Sequence, residues 1–290
     1  MIVIIGSTGQ LGSELMAACT RLGMAFVGFG HEHIQVENPT SVFDALSQYC
    51  PGHPPSAVIN TAAYHNLEHC ERDPDRALMV NAIGSYNVAS WCQHEGVKYV
   101  YISTDYCAGT PTDESGQPLS VYAKSKLAGE LAALSMCPDS LVVRVGTLYG
   151  INGCRAKNGG NLIDTIVGKI KKQEPFTLPD YTSVLTTYAH DAAMRILTNL
   201  NRCGVWYGTD QCQGESHYRL GCRIADYLGL PNKIQAVSYD PTDTIRPSKT
   251  AVPSCGVNVY RRLGLSNGVS VPGFPSSLGR YLVEKGHIDE

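Results

Sequence analysis

No run of about eighteen consecutive apolar residues occurs in this chain, so no segment reads as a membrane-crossing helix. There is no polybasic stretch for an anionic membrane and no basic stripe for a nucleic-acid backbone. Lysine and arginine total 23 against 26 acidic residues, a net charge of −3 with the signs mixed along the chain. Neither a membrane nor a nucleic-acid partner is expected. The 16 tyrosines are scattered and form no stacking platform, and internal repeats and low-complexity tracts are missing. The 11 cysteines include no Cys-x-x-Cys pair, which argues against zinc and for buried thiols in a reducing compartment. The apolar opening Met1-Ile-Val-Ile-Ile5 stops at Gly6 without a basic leader. It is too short for a signal peptide and suits a buried strand, so the expected location is cytoplasmic.

What is present is a large, ordinary apolar share, 43% of 290 residues, with only 17% charged. That is enough to bury a sizeable core. Strands are predicted at residues 2–5, 25–28, 57–60, 99–103 and 141–145. Helices are predicted at residues 10–22, 41–49, 81–94 and 122–134. Short apolar strands alternating with helices predict an α/β fold: a doubly wound parallel sheet, Rossmann-like, with both faces covered. After Gly150 a turn-rich loop breaks the rhythm. Helices at 161–172, 190–200, 216–228, 257–263 and 274–284 then mix with strands near Phe176 and at 205–209. Residues 1–150 are therefore read as a dinucleotide-binding domain. Residues 151–290 are read mainly as a smaller substrate-binding lobe, with some segments returning to the sheet and capping its carboxyl edge.

Gly6-Ser-Thr-Gly9-Gln-Leu-Gly12 follows the first strand and opens the first helix. One glycine allows the sharp turn, another lets backbone N–H groups approach a pyrophosphate, and the last lets the helix pack on the strand. Gly6, Gly9 and Gly12 are therefore candidate cofactor residues. The segment Gly28-Phe-Gly-His-Glu-His33 holds Glu32, slightly late for an adenosine-ribose acid, and no arginine for a 2′-phosphate. His31 and His33 are the available bases.

Tyr122 and Lys126 stand four apart at the start of a predicted helix and so share a face. A tyrosine can donate a proton, and a nearby ammonium is expected to lower its pKa. The preceding strand ends Ser103-Thr104-Asp105-Tyr106. Ser103 and Thr104 point to opposite faces, and Thr104 is taken as the hydroxyl that holds a substrate carbonyl. Tyr122, Lys126 and Thr104 are the candidate catalytic set. His65 and His69 are also four apart, but no glutamate follows His65 as in a metalloprotease helix.

These motifs resemble the extended short-chain dehydrogenase/reductase superfamily. Within it, Val58-Ile-Asn-Thr-Ala-Ala-Tyr64, Asn81-Ala-Ile-Gly-Ser-Tyr-Asn-Val-Ala89, Ser103-Thr-Asp-Tyr106 and Tyr122-Ala-Lys-Ser-Lys-Leu-Ala-Gly-Glu130 look like the dTDP-4-dehydrorhamnose reductases and their nucleotide-sugar relatives. The resemblance covers the first 150 residues well and the remainder loosely. It implies NAD(P)H-dependent reduction of the 4-keto group of a nucleotide-linked 6-deoxyhexose, as in deoxysugar biosynthesis of the dTDP-L-rhamnose type. NADPH is the cofactor it favours, with NADH the alternative. It also implies that Gln10, Leu11, Ala62, Ala63 and Tyr64 line the cofactor together with Tyr122 and Lys126. Asp105, Tyr106 and Asn161 would lie with Thr104 near the substrate.

Departures from the reductase pattern are visible. Thr147 stands where those reductases carry a tryptophan, and Val252-Pro253-Ser-Cys-Gly256 lacks the arginine and serine of a late substrate segment, although Arg246-Pro247 precedes it. Glu14 matches one acid of a magnesium-linked dimer contact, but no convincing partner acid is found around residues 186–191, so no metal is expected; a homodimer is left open. A dehydratase would want Asp-Glu after the strand-end threonine, and this chain has Asp105-Tyr106. A reading of another class is an NADP-binding regulatory subunit resembling the methionine adenosyltransferase beta subunit.

Overall fold

The computed structural model describes residues 1–49, 54–109, 120–152, 160–181, 183–210, 214–238 and 274–289. Five strands from the first half form its centre: β1 (Ile2–Ile5), β2 (Phe26–Phe29), β3 (Ala57–Asn60), β4 (Lys98–Thr104) and β5 (Leu141–Val145). A sixth, β9 (Gly204–Tyr207), adds to the edge. The order is β2-β1-β3-β4-β5-β9, and every pairing is parallel. The chain steps one way from β1 to β2 and the other way from β3 onward. The carboxyl ends of β1 and β3 therefore flank a topological switch point, the usual ligand crevice of such sheets.

Two cores cover the two faces. On one, Leu11, Leu15 and Ala18 of α1 (Gln10–Arg21) pack with Ala192, Ala193 and Ile196 of α9 (Ala189–Thr198) over Ile2, Ile4, Ile59 and Val143. On the other, Val88 and Cys92 of α5 (Gly84–Glu95) and Ala133 of α7 (Val121–Met136) cover Val3, Val58, Tyr99 and Tyr101, alongside α2 (Pro39–Tyr49). Alternate residues of β1 thus enter opposite cores, as the period of a strand requires. The doubly wound parallel sheet expected from the sequence is present.

The boundary near Gly150 is not a clean cut, because α9 and β9 belong to the first core and sheet. What stands apart is a third core. It gathers Ile163, Ile166 and Ile170 of α8 (Leu162–Lys171), Leu220 and Ile224 of α10 (His217–Leu228), and Leu278, Tyr281 and Leu282 of α11 (Phe274–Glu284). Two small sheets serve it: β7 (Phe176–Pro179) with β10 (Ile234–Val237), and β6 (Thr147–Tyr149) with β8 (Thr186–Tyr188). The predicted helix at 257–263 and the segments around Arg246-Pro247 and 252–256 lie outside the described residues.

The helix predicted at 81–94 is present as a π turn over Met79–Ile83 that runs into α5, and two short helices, α3 (Leu67–Arg72) and α4 (Pro74–Leu78), precede it with a break between them. Asp73 is the reason for the break: its side chain accepts from Arg76 N and caps α4, with Pro74 in the first turn. A last short helix, α6 (Tyr106–Gly109), follows β4 directly. Of the described cysteines, Cys19, Cys70, Cys92 and Cys137 are buried, and all seven are free thiols. No described helix is long and apolar enough to cross a membrane.

Gly129 marks a close contact of α7 with the sheet. A Cβ there would sit 2.3 Å from both the Asn81 carbonyl oxygen and the Tyr101 hydroxyl. Replacing it by alanine must push α7 off the sheet. Gly129→Ala is expected to lower the urea midpoint by the equivalent of about 1–3 kcal/mol, the usual cost of overpacking. An unchanged midpoint would contradict this packing.

Candidate active site

A cleft of about 700 Å³ opens at the carboxyl ends of β1, β4 and β5. Its floor begins with the glycine turn. Gly6 has φ +79°, and a Cβ on it would lie 2.5 Å from Thr61 Oγ1, so this position requires glycine. Gly9 starts α1 with no side-chain cap, and Thr8, Gly9, Gln10 and Leu11 face the cleft. An uncapped helix start with its N–H groups toward a cleft fits a pyrophosphate. Gly12 is not on the cleft wall. Its Cα approaches the Gly6 carbonyl so closely that a Cβ would sit 2.2 Å from that oxygen, which makes it the packing glycine of the three.

The cleft continues along Ala62, Ala63 and Tyr64 after β3. Asn81, on the π turn and fully buried, holds that segment in place: its amide accepts from Tyr64 N at 2.9 Å and donates to Tyr64 O at 2.9 Å. The same amide donates to Ser125 Oγ at 2.9 Å, tying the cofactor-side loop to α7 beside Lys126. Asn81 appeared in the sequence only inside a resemblance segment, and nothing in its spacing announced this role. Beyond it stand His31, Ile34, Val36, Glu37 and Arg76. Glu37 and Arg76 pair at 2.9 Å. Glu32 does not line the cleft; it turns toward His33 at 3.4 Å, and His33 Nδ1 accepts from Gly30 N. Arg76 comes from α4, far in sequence from the β2 loop where a basic residue was sought.

Tyr122, Lys126 and Thr104 converge on the same cleft, with Asp105, Tyr106, Thr147 and Asn161 around them. Thr104 and Ser103 do face opposite ways. Thr104 Oγ1 faces the cleft, donates to Asp105 Oδ1 at 3.2 Å and accepts from Tyr106 N at 3.3 Å. Ser103 Oγ instead donates to Glu130. Lys126 is 1% exposed, donates to Ile102 O at 2.7 Å and lies 4.1 Å over the Tyr101 ring. Burial pushes the Lys126 ammonium down to about 8. Burial also pushes the Asp105 carboxyl up to about 7, against hydrogen bonds from Thr104 and the backbone of Tyr106 and Leu185.

One expectation needs correcting. The phenol of Tyr122 was to be acidified by Lys126, yet burial raises it above its ordinary value. In this state Lys126 spends its ammonium on the Ile102 carbonyl and the Tyr101 ring. Asn161 is also engaged. It caps α8 by accepting from Asp164 N at 3.0 Å, and its amide nitrogen donates to Asp164 and Tyr281, both at 2.9 Å. Gln10, with its amide turned to satisfy its neighbours, donates to Leu148 O and accepts from Gly150 N, so it braces β6 as well as lining the cleft. Glu14 feels both His190 and Glu284, and the described residues contain no cluster of three acidic, histidine or cysteine side chains arranged for a metal.

Behind the cleft sits a buried ion pair that sequence reasoning missed. Arg144 donates from Nε to Glu130 Oε1 at 2.8 Å and from Nη2 to Oε2 at 2.7 Å, with a further bond from Nη1 to the Tyr207 hydroxyl at 2.9 Å. The available signal was spacing: Tyr122, Lys126 and Glu130 recur every four residues and so share a face. Arg144→Met leaves the Glu130 carboxylate buried and unpaired, and is expected to cost about 3–5 kcal/mol in chemical denaturation. Adding Glu130→Met to it should recover part of that loss; strict additivity of the two would argue that the groups do not act as a pair.

Comparison with known proteins identifies the family and agrees with the fold. The RmlD substrate binding domain profile matches residues 1–256. The chain is 25% identical over 290 residues to the spore coat polysaccharide biosynthesis protein SpsK of Bacillus subtilis, covering 98% of this chain and 97% of that one. It is 28% identical over 276 residues to the dTDP-4-keto-6-deoxy-D-glucose reductase of Streptomyces niveus, covering 91% of each. The crystal structure of dTDP-4-dehydrorhamnose reductase from Bacillus anthracis in complex with NADP superposes with a TM-score of 0.80 at 24% identity over 98% of both chains, a likeness of fold. With a profile that spans well over half of its length, the chain belongs to the RmlD substrate binding domain family.

Proposed function

We propose that this protein reduces the 4-keto group of a nucleotide-linked 6-deoxyhexose, of the dTDP-4-dehydrorhamnose type, with NADPH. The observation that carries the reading is the meeting of Tyr122, Thr104 and Lys126 in the cleft whose other end is the Gly6–Gly9 turn. The names of relatives in the same family support the substrate class. His31 and Arg76 are basic side chains on the wall beyond the turn, which favours the phosphorylated dinucleotide.

The bound nicotinamide supplies the hydride. Gly6, Gly9 and the start of α1 hold the pyrophosphate, and Ala62, Ala63 and Tyr64 form the wall beside it. Thr104 holds the sugar carbonyl oxygen, and Tyr122 gives that oxygen its proton as charge develops on it. The developing phenolate is then stabilised by the Lys126 ammonium, whose interaction strengthens because the site is desolvated. Tyr106, at the position where a dehydratase would need a second carboxylate, packs edge-on to Tyr122 with ring centroids 5.9 Å apart, which suits simple reduction rather than water elimination.

The test is loss of reduced-nicotinamide absorbance with 4-keto-6-deoxy nucleotide sugars. Tyr122→Phe is expected to lower turnover by at least about 10²-fold, the scale of a lost general acid, while NADPH binding measured by fluorescence stays intact. Unchanged turnover in that variant would remove the mechanism. No turnover with any keto-sugar nucleotide, together with a stable complex with a larger enzyme, would favour the regulatory-subunit alternative.

A further inference from the structure

The end of the cleft beyond the glycine turn holds an acid and a base bonded to each other. Arg76 Nη1 lies 2.9 Å from Glu37 Oε1, and both residues line the cleft. The two partners are unequally buried: the Glu37 side chain is 14% exposed and the Arg76 side chain 42%. The acid is the fixed partner, and the long arginine side chain is the part able to turn.

The backbones beneath the pair are held in place. Val36, beside Glu37, gives its carbonyl to Asn87 Nδ2 at 2.9 Å, and its Cγ2 is close enough to α5 that a Cβ on Gly84 would come within 2.6 Å of it. Asn38, on the other side of Glu37, accepts from Thr40 N at 3.0 Å and Ser41 N at 3.2 Å and so fixes the start of α2. Arg76 N donates to Asp73 Oδ1 at 3.0 Å in the first turn of α4. Ile34, Val36 and Val80 add apolar lining at this end, suited to the face of a flat base.

The wall runs from Gly6 and Gly9 past Gly30 and His31, just after β2, to Glu37 and Arg76. In a doubly wound sheet the adenosine ribose lies beside the end of the second strand. An acid there binds a free 2′-hydroxyl, and an arginine there accepts a 2′-phosphate. This chain offers both. A guanidinium can take a phosphate through two parallel bonds, whereas a carboxylate repels the same phosphate.

We infer that Glu37 and Arg76 are a two-way selector for the cofactor. Arg76 anchors the 2′-phosphate of NADPH, Glu37 accepts from the ribose 2′-hydroxyl of NADH, and their pairing masks Arg76 when no phosphate is bound. This deepens the NADPH reading of the same cleft and rests on it. NADPH turns the guanidinium from carboxylate to phosphate and leaves Glu37 as a nearby negative charge that opposes it. NADH leaves the pair in place. The preference for NADPH is thus set by Arg76 and held down by Glu37.

Cofactor binding to the full chain, followed by nicotinamide fluorescence with no sugar present, separates the two roles. Arg76→Leu is expected to weaken NADPH about 10–100-fold, the scale of a lost charge-assisted bond, and to leave NADH within about threefold. Retained NADH binding also shows that the variant is folded. Arg76→Lys keeps the charge without the fork and should fall between. Glu37→Gln is expected to tighten NADPH about threefold and to weaken NADH about threefold, so the two changes have opposite signs. Equal loss of both cofactors in Arg76→Leu, unchanged NADPH binding there, or a Glu37→Gln variant that moves both cofactors the same way or neither overturns the inference.

A phosphorus-31 titration of the 2′-phosphate of bound, saturating NADP is the second readout. A phosphate monoester loses its second proton near about 6, and a touching guanidinium favours the dianion, so the wild-type midpoint is expected below that value. Arg76→Leu should raise it by about one unit. His31 shares the wall, and His31→Asn should raise it by less. A midpoint that stays still in Arg76→Leu, or moves further in His31→Asn, overturns the assignment to Arg76. Neither readout uses a keto-sugar, so selective binding without any sugar reduction would remove the substrate reading and keep the selector. A wild type that binds neither cofactor would remove both.

Discussion

The bidentate bond between Arg144 and Glu130 is the constraint on which the site depends. Glu130 is on α7, Arg144 on β5, Ser103 on β4 and Tyr207 on β9, and one carboxylate and one guanidinium join all four. A helix lying on a sheet can rotate or slide by small amounts at little cost in apolar contact. A planar fork on a carboxylate removes that freedom, because two parallel bonds fix both distance and angle. Tyr122 and Lys126 share the face of Glu130, so fixing one end of that face fixes the phenol and the ammonium toward the strand ends. Asn81 and Gly129 complete the restraint from the other side, through Ser125 and through a contact too close for a side chain.

The same burial that fixes these groups also sets their protonation. Lys126 is pushed down, Asp105 and Tyr122 are pushed up, and desolvation comes first among the causes in all three. Each shift favours the neutral form of its group. A site with few standing charges costs less to bury and responds more strongly when charge appears on a substrate oxygen. In this cleft Thr104 is tied to Asp105 by a hydrogen bond, and Lys126 is held by a carbonyl and an aromatic ring rather than by an ion pair.

The sequence made the first half of this arrangement readable because each signal there is local. An apolar run, a glycine turn and the i, i+4 placement of Tyr122 and Lys126 depend on neighbours in the chain, and so does the opposite facing of Ser103 and Thr104. The strands β6, β8 and β10 escaped notice because three or four residues of mixed polarity carry no period. The helix predicted at 81–94 begins two residues earlier, in a wider and less tightly wound π turn, and the short helices α3 and α4 before it are too brief to show an apolar period. Arg76, Glu130 and Arg144 acquire their roles only through partners 14 or more positions away, as with the 14-residue separation of Arg144 and Glu130. Lys126 was read as the activator of Tyr122, but spacing says nothing of a carbonyl and an aromatic ring that compete for its ammonium.

The second lobe shows why the division near Gly150 blurs. Strand β6 supplies Thr147 and Leu148 to the cleft wall, and it is held by β8 and by Gln10. Strand β8 in turn leads straight into α9, which packs on α1 beneath the glycine turn. The last helix closes this unit: Ser277 and Arg280 both reach Asp191 at the start of α9, and the Tyr188 hydroxyl donates to Glu284. Tyr149 and Tyr188 stack and Tyr281 meets both edge-on, with centroids 5.0–5.7 Å apart. A wall of the cleft is therefore set by residues more than a hundred positions later than the turn it faces. The cofactor end and the substrate end are parts of one packed body, and the position of α1 is felt at both.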